Sequence, residues 1–194
     1  MKTKKYKEKY SKKVIRKSEI KKKSDYSWIL VISISAFWIS FIFSFFSETI
    51  IPSVGFFVSI FIILFFILLG IIFDMIGISV TVANLATFNS MATKKIKGAR
   101  LASKLIKNSE KTSSFCNDVI GDICGIMSGS TAVAISNSIA KSLAVSPFLV
   151  TLIVTAMVAS LTIGGKAMGK SIAINNSTRI LYYFSKVISI FTRS

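Results

Sequence analysis

The chain has 194 residues, 52% of them hydrophobic and 17% charged, with 25 Lys and Arg against 8 Asp and Glu and a mean hydropathy of +0.65. Soluble domains carry about 25% charged residues; the long uncharged stretches here indicate an all-α integral membrane protein instead. There is no histidine, and Cys116 and Cys124 form no C-x-x-C pair, which argues against structural zinc, a disulfide framework and Ser-His or Cys-His catalysis, so no enzyme is expected.

The first segment, residues 1–27, holds twelve Lys and Arg against three acids. It reads as an unpacked basic tail that stays in the cytoplasm and attracts anionic lipid headgroups. Nucleic acid is not the expected partner despite the net charge of +17, because the lysines flank apolar runs of membrane length and have few interleaved aromatics. Residues 28–46, "WILVISISAFWISFIFSFF", predict an additional N-terminal transmembrane helix with Trp28 as its interfacial anchor. Pro52 and Gly55 then break the chain.

A second span is predicted at 56–73. The less hydrophobic segment 74–117 reads as short interfacial helices. Two more spans follow at 118–140 and 147–163, the last with Pro147 in its first turn. Residues 175–194 alternate apolar clusters with Arg179, Lys186 and Arg193, the pattern of an interfacial juxtamembrane helix. The expected fold is therefore four transmembrane helices plus interfacial helices.

Charge decides the expected orientation. Residues 74–117 hold seven Lys and Arg, residues 164–194 hold five, and the 141–146 loop holds Lys141 alone. With the N-terminus inside, 24 of the 25 positive charges face the cytoplasm. The positive-inside rule thus puts both termini in the cytoplasm, with the plasma membrane as the expected location.

Charged groups in a bilayer are costly and are functional candidates by default. They are Asp74, Asp118 and Asp122, with Asn117 beside them. Asp118 and Asp122 stand at i and i+4 on one helix face. Asn117 or Asp118 as a helix cap accounts for one turn of this, but Asp122 lies a turn deeper. Two carboxylates with amide and hydroxyl oxygens nearby suit Mg²⁺. Gly121, Gly125 and Gly129, echoed by Gly165 and Gly169, are small-residue faces that let helices approach.

From residue 56 onward the order of features resembles the transmembrane domain of the CNNM/CorB magnesium-transporter family. The strongest local match is "GGKAMGKSIAINNSTRILYYFSKVISIF", Gly164 to Phe191. There Gly165, Lys170, Ser171 and Ala173 follow a Gly-Glu-x-x-Pro-Lys-type turn. "GARLASKLIKNSEK", Gly98 to Lys111, is similar to the family's Ala-rich cytoplasmic segment. "CNDVIGDI" stands at a Gly-Asn-Asn-Leu-Val-Asn-like helix start, which makes Asn117 the match to an ion-associated asparagine. The resemblance implies a homodimeric domain, 56–194, that transports or binds a divalent cation, with Mg²⁺ as the ion and Asn117, Asp118 and Asp122 as its site.

The departures matter as much. Lys166 stands at the family's ion-associated glutamate, and Gly169 replaces its proline. No Ser-Glu-x-Ala motif follows Asp74, where Gly77 and Ser79 are the nearest small residues. No CBS-domain pair is expected. Three arrangements are open: the aspartates carry the acidic role, Lys166 pairs with one of them in place of a cation, or Lys166 snorkels to the surface. The second corresponds to a non-transporting membrane scaffold whose ion site Lys166 neutralises.

Overall fold

The computed structural model describes residues 26–45, 49 and 55–191. Nearly all of the basic tail, most of the 47–55 loop and the last three residues lie outside them. The described residues contain helices and no strand, as a chain with apolar spans requires, because a lipid-exposed backbone must satisfy its own hydrogen bonds.

The chain divides into two compact units, residues 1–39 and 40–194. Most of α1, Tyr26–Phe45, belongs to the first. Large apolar side chains along it, Ile34, Phe37 and Trp38 among them, are exposed, which is stable only in lipid.

The second unit is built on three mutually packed helices, α2 (Phe56–Val82), α6 (Asp122–Leu143) and α7 (Pro147–Asn175). Their outer faces carry exposed Phe57, Phe61 and Leu68 on α2 and Phe148, Met157 and Met168 on α7. Between them Ile63 and Ile67 of α2 meet Ala132 and Ile135 of α6, with Val154 and Val158 of α7 packed against that cluster. Hydroxyls on α6 are satisfied within their own helix: Thr131 Oγ1 donates to Met127 O at 2.8 Å and Ser136 Oγ to Ala132 O at 2.7 Å. The helix therefore buries them without an unpaired donor. Among the described residues four helices, α1 included, are long and apolar enough to cross a membrane.

A second core lies past the end of α2. Helices α3 (Leu85–Thr93), α4 (Ala99–Lys107) and α8 (Ser177–Phe191) enclose Val80, Ala83, Phe88, Ala102 and Leu181. Asn84 starts α3 by accepting from the Ala86 amide at 2.8 Å, an N-cap of ordinary type. Gly98 takes φ +84° ahead of α4, and a Cβ there would stand 2.8 Å from the Lys186 amide nitrogen of α8. Both the backbone conformation and the close approach require glycine.

The helices run further than the sequence suggests. Asp74 does not end α2: the "MIGISVTV" that follows keeps an apolar face and holds no proline, and the helix continues through Gly77 to Val82. The third span is continuous from Ser109 to Leu143, through α5 (Ser109–Ser114) and a π-helical turn, Phe115–Gly121, into α6. Asn117 and Asp118 thus sit mid-helix in that turn. The capping role open to them in the sequence is ruled out: no side-chain cap bond forms at either end of the π turn. In α7 the glycines at 164, 165 and 169 do not stop the helix.

Candidate functional site

The α2 face toward the third span is cut by small residues at Gly70, Asp74 and Gly77, an i, i+4, i+7 stripe. A Cβ on Gly70 would lie 3.1 Å from Cys124 Cβ and 3.6 Å from Gly121 O. A Cβ on Gly77 would overlap Asn117 Oδ1 and lie 2.7 Å from Asn117 Cγ. Glycine at 77 is what lets the Asn117 side chain enter. Asp74 lies between these two contacts, facing the π turn.

The π turn supplies the polar groups. One extra residue per turn widens the helix locally, and such turns recur at functional sites. Asn117 Nδ2 donates to Ser113 Oγ at 3.4 Å. Its Oδ1 is buried and has no hydrogen-bond partner. Leaving such an acceptor unpaired costs about 1–3 kcal/mol, so a group of this kind calls for an explanation.

The charges gather around the same turn. Lys166 Nζ, from α7, lies 3.7 Å from Asp122 Oδ1 at the start of α6. That is ion-pair range but longer than a hydrogen bond. The lysine side chain is 26% exposed and the aspartate 69%, so the pair is partly screened. Lys166 Nζ would also lie 3.5 Å from a Cβ on Gly121. Asp74 lies in electrostatic reach of Lys166, Asp122, Lys170 and Asp118. Asp118 and Asp122 are both exposed.

The expected site residues are therefore partly assembled. Asn117 faces α2, while Asp118 and Asp122 face outward near Lys166 and Asp74. Ser79 belongs elsewhere: it is fully buried with an unpartnered Oγ, but two residues from Gly77 means about 200° round the helix. That turns it away from Asn117 and toward the side of Val80. Among the described residues no group of three His, Cys, Asp or Glu forms a ready-made metal centre. An ion at this place would rely on amide and hydroxyl oxygens and retained water as well as carboxylates.

The glycines divide into two sets. Gly121 faces Lys166 and the Cys116 carbonyl, while Gly165 packs on Ile71 and Gly169 on Ile71 and Met75. Gly125 and Gly129 meet nothing within 4 Å in the single chain, so the seam expected from their spacing is not used between its own helices beyond Gly121. A four-residue repeat drifts about 40° per step on a 3.6-residue helix, so the ladder rotates off the α2 face after Gly121. Both cysteines are buried, as small packing residues should be.

Two residues escaped the sequence reading as site parts. Gly77 seats Asn117, and Lys170 adds a second cation near Asp74. The Gly70–Asp74–Gly77 spacing was the available signal for the first; the second stood in the Gly-Glu-x-x-Pro-Lys-type match, without a sign that it lies near Asp74.

Neither a curated protein nor a solved structure matches the chain. A family model does, that of the cyclin M (CNNM) transmembrane N-terminal domain, over residues 61–193. That range takes in α2 from its second turn onward, all of α6 and α7, the π turn, the second core and Lys166. A membrane role related to divalent-cation transport comes with it. The chain belongs to the CNNM family through its transmembrane domain.

Proposed function

We propose that the domain binds and transports a divalent cation, Mg²⁺ being the ion that fits best, through the cluster of Asn117, Asp118, Asp122 and Asp74. The observation that carries this reading is the buried, unpartnered Oδ1 of Asn117. A hard cation, or a water of its hydration shell, is the natural partner for a carbonyl oxygen held in that way. Mg²⁺ takes oxygen ligands in octahedral geometry and gives up its waters reluctantly. A site with one fixed amide oxygen and carboxylates at its rim suits it better than a closed cage.

Lys166 then acts as a tethered counter-cation. Three carboxylates and two lysines interact around Asp74, a net charge of minus one. If Lys166 swings out, as a flexible stem permits, the net charge becomes minus two, matching a divalent ion. The 3.7 Å separation from Asp122 gives a contact loose enough to exchange, not a buried lock.

The remaining elements of the proposal are the homodimer, the plasma membrane and cytoplasmic termini, with the positive charges of the sequence supporting the orientation. The open face at Gly125 and Gly129 is where a second copy can approach closely. The test is Mg²⁺ flux into proteoliposomes for wild type, Asn117→Ala and Asp122→Asn. Flux in wild type that falls in both variants supports the reading. Equal flux in all three refutes the site, and none in wild type refutes transport.

A further inference from the structure

A separate cavity lies on the surface of the helices that enclose the second core, away from the charge cluster. The turn between α3 and α4 and the facing end of α8 enclose about 430 Å³, lined by Lys95, Lys97, Arg100 and Lys104, together with Ala92, Ile96, Leu101 and Ser189. All four basic side chains are exposed. None forms an ion pair with a carboxylate among the described residues, and no acidic residue lines the cavity. Four like charges held around one cavity repel one another, so the arrangement favours an anion of more than one charge.

The backbone adds to the field. The cavity reaches the N-terminus of α4, where Gly98 offers no side-chain cap. First-turn amides of a helix have no intrahelical acceptor and carry the positive end of its dipole. The turn itself is shaped for this: Lys95 adopts φ +56° and Gly98 φ +84°, while the Ile96 amide donates back to Met91 O at 3.1 Å. Those bonds bring side chains of residues 95, 97, 100 and 104 to one mouth. Ala92, Ile96 and Leu101 add apolar wall for the stem of a ligand.

We infer that this cavity binds a phosphate-bearing anion carrying two or more negative charges, with Arg100 and Lys104 on α4 and Lys95 and Lys97 on the turn as its ligands. The Ala99 amide is taken by Ile96 O at 3.1 Å, so the first turn offers the amides of Arg100 and Leu101; a phosphomonoester carries about −1.5 to −2 at neutral pH and three acceptor oxygens, which these two amides and four cations can serve. The cavity belongs to the helices that follow α2, whose apolar run ends at Val82, and the charge distribution of the sequence assigns those helices to the cytoplasmic side, where the headgroups lie. Basic pockets there take phosphorylated headgroups. A soluble polyphosphate has the same chemistry, and the two sources separate by experiment.

The full chain in detergent is titrated with dioctanoyl phosphatidylinositol 4,5-bisphosphate, with dioctanoyl phosphatidylcholine and with pyrophosphate, reading the shift in thermal midpoint. Wild type is compared with the pair Arg100→Gln and Lys104→Gln and with a charge-matched control, Lys107→Gln and Lys141→Gln. The expected result is bisphosphate-lipid binding that weakens at least tenfold in the first pair and less than threefold in the control. The basic N-terminal tail is present throughout, so the difference isolates the cavity. Binding of the lipid alone identifies a headgroup site; pyrophosphate binding of equal strength, competing with the lipid, identifies a soluble source. If the paired variant does not fold, Lys97→Gln in the turn is read instead, with a loss of at least threefold. Equal affinity in wild type and the cavity variants, a phosphatidylcholine response as large as the bisphosphate one, or no response to either phosphate probe overturns the inference.

Discussion

Lys166 of α7 places its ammonium 3.7 Å from the Asp122 carboxylate of α6. A cation thus stands on the protein's own chain beside the place proposed for a transported one. Partly exposed pairs of this sort contribute about 0–1 kcal/mol to stability. Lys166→Gln should therefore move the thermal midpoint little. It should nevertheless lower the Mg²⁺ concentration for half-maximal flux, roughly threefold to tenfold, since about 1 kcal/mol of competing charge is about a factor of five. Dye-reported flux across a Mg²⁺ series checks this; an unchanged or raised half-maximal concentration contradicts the counter-cation role.

Gly77→Ala should be severe. Its Cβ would overlap Asn117 Oδ1, and forcing a methyl into a packed contact costs about 1–3 kcal/mol. Adding Asn117→Ala to Gly77→Ala removes the obstruction, so stability should return while flux does not. A double-mutant cycle on thermal midpoints and flux reads the two separately. Additive stability losses would show that the two residues do not share a contact.

The two sets of glycines should respond oppositely. Gly169→Val must push aside Ile71 Cγ2 and Met75 Cγ, each 3.0 Å from the position of a Cβ, and should cost about 1–3 kcal/mol. Gly125→Ala meets nothing within 4 Å and should be neutral or gain up to about 1 kcal/mol from helix propensity. Thermal denaturation in a mild detergent compares them. A large loss for Gly125→Ala at protein concentrations where the chain self-associates would place that face in the dimer interface.

Orientation is tested by labelling. In a background with Cys116 and Cys124 replaced by alanine, a cysteine at Lys97 should react with an impermeant maleimide only after the cytoplasmic side is opened. A cysteine at Ser146, in the loop between α6 and α7, should react from outside. The reverse pattern contradicts the positive-inside assignment.

Much of the fold was readable because the bilayer allows few structures. The 56–73 and 147–163 apolar runs marked α2 and α7, and the amphipathic 175–194 stretch anticipated α8. The ends were harder. A lone Asp74 suggests a boundary by composition, but a helix continues where no proline, cap or polar face stops it, and α2 runs on to Val82. The π turn at Phe115–Gly121, packed against α2, was not readable, since no residue pattern in the segment marks it. For the same reason Asn117 looked like a cap and proved to be a side chain inserted beside Gly77. Asp122 and Lys166 each stood out as a charge on an apolar helix, but the sequence left three arrangements open for the lysine, of which pairing with one of the aspartates was one.

The central claim is that Asn117 Oδ1 is an oxygen held for a cation. It is tested most directly by Mg²⁺ influx into liposomes holding wild type or Asn117→Ala, at matched protein incorporation and with protein-free liposomes as the baseline. The account predicts influx well above baseline for wild type and a loss of tenfold or more for Asn117→Ala, with the folded fraction unchanged by thermal denaturation. Influx at wild-type rates through the folded Asn117→Ala protein contradicts it.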